Sequence, residues 1–181
     1  MPMRIIAGKY RHRHLDYPID NKGIRPTKDR IREAIFSSFG DINDLTFLDL
    51  CAGVGSIGLE AISRGAKKVY FVDNDSLALK YIRKNISALG VENVEVIAED
   101  ANNALIRLKD RDIKFDIIYF DPPYESDLYS SILDNVFNND LLSEKGIFAI
   151  ESKYPIAINP IWNCSIKEYH YGETTVYVLR K

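Results

Sequence analysis

The sequence predicts an α/β fold of the doubly wound type, with a mostly parallel sheet covered by helices on both faces. From residue 46 onwards, short apolar runs alternate with stretches of helical periodicity. Because the runs are apolar throughout, we expect both faces of these strands to be buried, as in parallel sheets. Residues 164–181 differ, because two runs flank Gly172 and predict a C-terminal antiparallel hairpin.

The predicted elements follow one another in a regular order. The strand candidates are TFLDLC, KVYFVD, VEVIAED, FDIIYFD and GIFAIES, and the helix candidates between them are SIGLEAISRG, SLALKYIRKNISALG, ANNALIRLKD and DLYSSILDNVF. Upstream, RPTKDRIREAIFSSFG predicts a helix that Thr27 caps and Gly40 ends. The front, RIIAGKYRHRHLDYP, predicts a short hairpin broken by Gly8. We expect one domain over residues 1–181, with an extension (1–26) and a core (27–181).

Composition favours a soluble protein without a metal site. Apolar residues make up 46% and charged residues 28%, which is ordinary for globular chains. No apolar run approaches the roughly 20 residues of a membrane span, and the N-terminus lacks the apolar centre of a signal peptide. We therefore expect a cytoplasmic location. The two cysteines and three histidines lack the spacing of metal ligands.

Positive charge is concentrated at the N-terminus. Residues 1–32 carry nine basic and three acidic side chains, a net charge of +6, whereas the remaining 149 residues carry 15 basic and 23 acidic side chains, a net charge of −8. Such an arm is typical of proteins that bind a polyanion, although a solvated charged edge would have the same composition. The candidate phosphate-binding side chains are Lys9, Arg11, Arg13, Arg25, Lys28, Arg30 and Arg32.

A glycine-rich loop follows the first predicted strand. Gly53, Gly55 and Gly58 match the dinucleotide-binding pattern G-x-G-x-x-G, and Asp73 stands 20 residues after Gly53, where a ribose-binding acid is expected. Taken alone, the pattern fits a nucleotide-dependent oxidoreductase. Asp49 argues against that ligand, because it would place negative charge near a pyrophosphate.

S-adenosylmethionine fits the acids better, because it carries an ammonium and a sulfonium but no phosphate. Acids end four predicted strands, and ligands of parallel sheets bind at the carboxyl ends of the strands. Asp49 would face the amino-acid end, Asp73 the ribose hydroxyls and Asp100 the adenine amine, unless Asp100 is only a helix N-cap. The predicted cofactor-binding residues are Asp49, Ala52, Gly53, Gly55, Asp73, Asn74, Asp100, Ala101 and Asp121.

The segment DPPY, residues 121–124, indicates methylation of an exocyclic amine. The lone pair of such an amine is delocalised into the base, so the amine must be turned toward the methyl group. Asp121 and the carbonyl of Pro122 would each accept an N–H, Pro122 and Pro123 would stiffen the corner, and Tyr124 would stack on the base. Catalysis would then rest on positioning for in-line transfer to an unpaired or flipped base.

The sequence resembles a known family. DLCAGVGSIGLEAISRGA and DPPY resemble class I S-adenosylmethionine-dependent amino-methyltransferases, which act on adenine N6 or guanine N2. MRIIAGKYRHRHL, RPTKDRIREAIFSSF and YGETTVYVLRK are similar to the RsmD-type family, which methylates N2 of a guanine in small-subunit (16S) ribosomal RNA. The resemblance spans nearly the whole chain.

The resemblance implies a seven-stranded, Rossmann-like sheet and an RNA substrate in a ribosomal assembly intermediate. It also implies that the basic arm contacts phosphates and that the residues named above hold S-adenosylmethionine and the base. This chain departs mildly from the family at Cys51, where an aromatic residue is frequent, at Val54, where Thr is frequent, and at Asp73, where Glu is common.

Some alternatives stay open from the residues alone. They are a nucleotide-dependent oxidoreductase, an adenine-N6 methyltransferase acting on DNA or RNA, and a non-catalytic RNA-binding module. We expect a monomer, and we expect the segment RPTKDR to lie over the cofactor. Glu151 and Tyr154 follow the fifth strand near the base, but the sequence does not assign them a role.

Overall fold

The computed structural model describes residues 3–18, 29–123 and 127–181. Within these ranges the helices are Asp29–Phe39 (α1), Ser56–Ser63 (α2), Ser76–Leu89 (α3), Ala101–Asp110 (α4) and Leu128–Asn138 (α5). The strands are Thr46–Leu50 (β1), Lys68–Asp73 (β2), Val94–Ala98 (β3), Phe115–Phe120 (β4), Leu142–Ser152 (β5), Ser165–Tyr171 (β6) and Thr174–Arg180 (β7). The predicted cap Thr27 and residues 25–28 of the segment RPTKDR fall outside the described residues, as does the proposed boundary at residue 26, whereas Asp29 and Arg30 of that segment begin α1.

All seven strands form one sheet in the order β3-β2-β1-β4-β5-β7-β6. Strands β1 to β5 pair in parallel, and β7 runs antiparallel to both β5 and β6. The predicted fold class is therefore confirmed, including its C-terminal antiparallel hairpin. The strand order reverses between β1 and β4, and doubly wound sheets bind ligands beyond the carboxyl ends of the strands at such a switch point.

Two layers of helices cover the sheet. Helices α1, α2 and α3 pack against one face, for example through Phe36, Ile57 and Ile82, while α4 and α5 pack against the other through Leu105 and Ile132. Burial on both faces explains why the strand candidates read as continuous apolar runs. Among the helices of the described ranges, none combines the length and apolar character needed to cross a membrane.

Residues 3–15 form a tight N-terminal ribbon. The N–H of Ile5 donates to the carbonyl of Arg13, and the N–H of Leu15 donates to that of Met3, each at 2.9 Å. Arg4 and His14 form an isolated antiparallel bridge. The predicted hairpin is thus present, although its pairing is too short to form regular strands.

The ribbon is fastened to the C-terminal half of α2. The fully buried carboxylate of Glu60 accepts from the N–H groups of Ile6 and Ala7 at 2.8 and 3.0 Å. Gly8 has a φ of +79°, and a β-carbon there would lie 1.8 Å from the carbonyl oxygen of Ser63. Only glycine therefore allows the ribbon to approach this closely.

Candidate active site

Acidic side chains converge at the carboxyl edge of the sheet, on the face covered by α1 to α3. Asp49 lies beside Phe71 of β2 and Tyr119 of β4 in the strand register. Asp73 and Asp121 follow these neighbours by two residues, and side chains two residues apart in a strand share a face. The acids brought together are Asp49, Asp73, Asp121 and Glu151.

Asp49 connects β1 to the beginning of α2. Its side chain is buried, and its Oδ2 accepts from the N–H of Gly58 at 2.8 Å. Burial raises the pKa of Asp49 to about 8, although the hydrogen bond from Gly58 opposes the rise and the Asp73 carboxylate adds to it. A cationic ligand would favour the charged form of this carboxylate.

The glycine loop turns the chain sharply from β1 into α2. Cys51, Gly53 and Gly55 all have left-handed φ values, of 63°, 56° and 81°. At Gly58, in the first turn of α2, a β-carbon would lie 2.3 Å from the ring of Phe71. The loop therefore lets α2 pack directly on β2 and presents its backbone at the sheet edge.

Asp73 closes this loop onto β2. Its Oδ2 accepts from the N–H of Gly53 at 2.8 Å, and its Oδ1 accepts from the N–H of Asp75 at 2.9 Å. Burial raises the pKa of Asp73. A carboxylate offers about four acceptor sites, so two bonds to the backbone leave capacity for ribose hydroxyls. Contact of Asp73 and exposed Asn74 with the ribose stays a prediction. The sequence did not reveal that Asp73 also supports the glycine loop through these hydrogen bonds.

Asp100 caps helix α4. Its Oδ1 accepts from the N–H of Asn103 at 3.1 Å, and its Oδ2 accepts from the Asn103 side-chain amide. The N-cap alternative is therefore confirmed. Asp100 is nevertheless exposed at the same edge, beside buried Ala101, and contact with an adenine stays a prediction for both residues.

The start of DPPY continues strand β4. The N–H of Asp121 donates to the carbonyl of Leu50 at 3.4 Å, so Asp121 still aligns with the end of β1. Burial raises the pKa of Asp121 well above its ordinary value, and the carboxylates of Glu151 and Asp49 add to the rise. Pro122 is buried and Pro123 is exposed. Tyr124 lies outside the described residues.

The buried pair of Glu151 and Tyr119 was not assigned by the sequence. Tyr119 donates its hydroxyl to Oε1 of Glu151, and both side chains are buried. Burial raises the pKa of Glu151, and the hydrogen bond from Tyr119 acts in the opposite direction. The pairing of β4 with β5 brings Tyr119 and Glu151 together, and the sequence alone does not predict that pairing.

The basic candidates divide by exposure. Lys9, Arg11, Arg13 and Arg30 are exposed, although Arg13 donates through Nη2 to the carbonyl of Ala88 at 2.8 Å. Arg25 and Lys28 lie outside the described residues.

The prediction that Arg32 contacts phosphate is wrong. Its side chain is fully buried under the ribbon, where Nη2 donates to the carbonyl of Arg4 at 2.6 Å and to Oδ1 of Asp29 at 2.8 Å. Arg32 therefore joins α1 to the ribbon instead of meeting solvent. A count of charges along the sequence does not reveal burial.

The tip of the ribbon lies away from the acids. Lys9 and Tyr10 donate their N–H groups to the main chain and side chain of Ser63, at the last residue of α2. Since α2 has eight residues and begins at the glycine loop, its two ends are roughly 11 Å apart. After the ribbon, the chain comes back toward the glycine loop at Asp16. Buried Asn85 connects the two, because its side chain exchanges hydrogen bonds with the backbone of Asp16 and donates to the carbonyl of Val54 in the loop.

Comparison with known proteins gives a consistent set of relatives. A family model described as Conserved hypothetical protein 95 matches residues 3–180. Ribosomal RNA small subunit methyltransferase D of Escherichia coli (strain K12) is 33% identical over 152 residues, which are 83% of this chain and 75% of that protein. The solved structure of yhhF from Escherichia coli has a TM-score of 0.88 at 28% identity, covering 100% of this chain and 98% of that one.

The likeness in fold extends to a solved complex. The Thermus thermophilus 16S rRNA N2 methyltransferase RsmC, bound to AdoMet and guanosine, has a TM-score of 0.71 at 22% identity. The match covers 90% of this chain and 45% of that protein. At this identity the comparison bears on the fold alone, and it agrees with the doubly wound sheet described above. For metals, the described ranges hold no group of three or more His, Cys, Asp or Glu side chains able to bind an ion.

Proposed function

This chain belongs to the Conserved hypothetical protein 95 family, with ribosomal RNA small subunit methyltransferase D among its relatives, and from this we propose that it methylates guanine N2 in small-subunit (16S) ribosomal RNA. The methyl donor would be S-adenosylmethionine. The observation that carries the proposal is the meeting of Asp49, Asp73 and Asp121 beside the glycine loop. The Asp73 carboxylate helps to raise the pKa of Asp49, and the Asp49 carboxylate helps to raise that of Asp121, so the group favours a ligand with positive charge.

The glycine loop and three acids would hold the cofactor, which supplies an electrophilic methyl group on a sulfonium. Asp49 and the backbone of Ala52 to Gly55 would bind its amino-acid end. Asp73 would keep its bonds to the loop and accept from the ribose with its remaining acceptor sites. Asp100, at the next strand end, would meet the adenine amine.

The corner after β4 would position the target amine. Asp121 lies partly exposed at the strand end, where it could accept one N–H, and the carbonyl of Pro122 would accept the other. Fixing both hydrogens leaves the nitrogen lone pair to point at the methyl carbon. This is catalysis by orientation, which contributes through a near-attack geometry. Tyr124 would stack on the base, as the sequence predicts.

The exposed cations of the N-terminal region would bind the RNA backbone. Lys9 and Arg11 lie at the tip of the ribbon, roughly the length of α2 from the acids. They would therefore grip phosphates away from the target guanine and fix the register of the RNA. Arg30 at the start of α1 would contribute a second point of contact. We also propose that the chain acts as a cytoplasmic monomer on a partly assembled ribosomal particle.

The proposal is tested by transfer of labelled methyl groups from S-adenosylmethionine to small-subunit particles and to their naked RNA, followed by nucleoside analysis. N2-methylguanine is expected. N6-methyladenine, or label found only on DNA, would refute the assigned substrate, and a thermal shift with a nicotinamide cofactor but not with S-adenosylmethionine would favour an oxidoreductase.

The role of the corner is tested by Asp121→Ala. We expect a loss of transfer of at least about 100-fold, because the amine loses its orienting acceptor. Asp134→Ala is the matched control, because Asp134 is an exposed acid on α5, a helix on the opposite face of the sheet. Full transfer by the Asp121 variant would remove the catalytic assignment of this residue.

A further inference from the structure

Asp121 and Glu151 stand side by side at the edge of the sheet. The register pairs Phe120 with Ile150, and the residues that follow them are Asp121, directly after β4, and Glu151 of β5. Adjacent strands are about 4.8 Å apart. The two carboxyl groups therefore share one small volume next to the amine position.

The surroundings of Glu151 keep its carboxyl group in place. Tyr119 donates to its Oε1, and Tyr129 of α5 donates to its main-chain carbonyl at 3.1 Å. Among the described residues, the titratable groups that face the pair are Asp49 from β1, Cys51 from the glycine loop, Tyr119 from β4 and Tyr171 from β6. A buried carboxylate is costly unless it is hydrogen-bonded or shares a proton, and a purely structural site would be better served by an apolar residue.

We propose that Asp121 and Glu151 form a carboxyl pair that takes up the proton lost by the target amine, with Glu151 as the positioning residue and Tyr119 as its support. The proposal rests on the proposed function and names the proton acceptor of that reaction. Glu151 acts through Asp121: its negative charge makes Asp121 a stronger base than an isolated aspartate. Asp121, which is partly exposed, returns the proton to solvent.

The step balances in charge and in atoms. The amine nitrogen forms a bond to the methyl carbon with its lone pair, and the carbon–sulfur bond breaks and leaves its electron pair on sulfur. The nitrogen, now positively charged, gives one proton to the ionised Asp121. While the sulfonium is present, its charge keeps Asp121 ionised, and once the sulfur is neutral the affinity of the pair for a proton rises. The pair is thus a weak base before transfer and a strong one after it.

The first test follows the single-turnover rate of Glu151→Gln from about pH 5 to about pH 9. Gln keeps an oxygen for the Tyr119 hydroxyl but carries no charge. Removal of the like charge lowers the pKa of Asp121, so the acid limb of the profile should move down by about one pH unit. The maximal rate should fall roughly tenfold, because the base is weaker. Glu151→Asp, which keeps the charge, should restore the position of the limb.

The matched control is Glu144→Gln, an exposed glutamate on the same strand, whose profile should match the wild type. An acid limb that stays in the wild-type position in Glu151→Gln would overturn the proposal, whatever the fall in rate, because a structural defect lowers the rate without moving the limb.

A second test needs no RNA, and it separates this proposal from the proposed function. Calorimetry in buffers of different ionisation enthalpy counts the protons released on binding. The wild type should release more protons with S-adenosylmethionine than with S-adenosylhomocysteine, which lacks the sulfonium charge, and Glu151→Gln should abolish most of the difference. An unchanged difference would refute the pair. A wild type that binds S-adenosylmethionine but methylates no ribosomal RNA would refute only the proposed function.

Discussion

Asp49 shows how a single buried acid links stability to cofactor binding. Its pKa is raised to about 8 in the folded chain, against 3.8 for the unfolded group. Between these values the folded state holds a proton that the unfolded state has lost. The stability of the wild type should therefore fall as pH rises through this interval, by at most about 1.4 kcal/mol per pH unit from this group.

Asp49→Asn should remove that dependence, because the amide oxygen still accepts from Gly58 but carries no charge. Urea unfolding at about pH 5 and about pH 8 should show the variant gaining stability relative to the wild type at the higher pH. Its affinity for S-adenosylmethionine should fall about tenfold, because a charged hydrogen-bond partner is lost. Asp134→Asn, at an exposed site, is the control. A stability difference independent of pH would contradict the assignment.

At the residue scale, the sequence predicts only those residues of the site that a local sequence pattern marks. Asp73 and Asp121 end apolar runs and Asp49 stands one residue before the end of β1, so their meeting follows from a parallel sheet. Glu151 also ends a run, but its partnership with Tyr119 depends on the register of β4 and β5, which has no local signal. Asp100 is the opposite case. Its place directly before a helical stretch predicts the N-cap role, but it does not show whether Asp100 also contacts a ligand.

At the scale of elements, the ribbon is held by close approach as much as by hydrogen bonds. Gly8→Ala would force a β-carbon into the carbonyl of Ser63 and should displace the ribbon from α2. Gly40→Ala is a matched control, because Gly40 has a similar φ of +80° but nothing within 4 Å of an added β-carbon. We expect the Gly8 variant to lose at least about 1 kcal/mol more than the control, measured by urea unfolding, and to bind RNA more weakly while its affinity for S-adenosylmethionine changes less. Equal losses in the two variants would show that the contact with Ser63 is unimportant.

The elements themselves were largely predictable, and their arrangement was not. Alternation of apolar runs and helical stretches gave β1 to β5 and α2 to α5, since burial on both faces leaves a clear sequence signal. The ribbon was predicted as a hairpin, but its attachment through buried Glu60 and Asn85 was missed. Such anchors are polar side chains that bind distant backbone, and nothing in their own segment distinguishes them from exposed residues.

At the scale of the whole molecule, the charges are separated in space as well as in sequence. The acids gather at the carboxyl edge of the sheet, whereas Lys9 and Arg11 lie at the far end of α2. A nucleic acid that reaches both must span a distance of roughly the length of α2, with its backbone on the ribbon and one base at the edge. The separation keeps the phosphates away from the carboxylates, which would otherwise repel them.

This separation of charges predicts that the cations of the ribbon contribute to the salt dependence of RNA binding. The double variant Lys9→Ala, Arg11→Ala should bind RNA more weakly, and the slope of log K against log salt concentration should become shallower by about 1.5, since each phosphate contact contributes roughly 0.7 to 0.9. Its affinity for S-adenosylmethionine should not change, because neither side chain approaches the acids. The matched control is Lys109→Ala, Lys145→Ala, which removes two exposed lysines from elsewhere on the surface. If both double variants flatten the slope equally, net charge rather than the ribbon attracts the RNA; if only the first does, the RNA backbone contacts the ribbon.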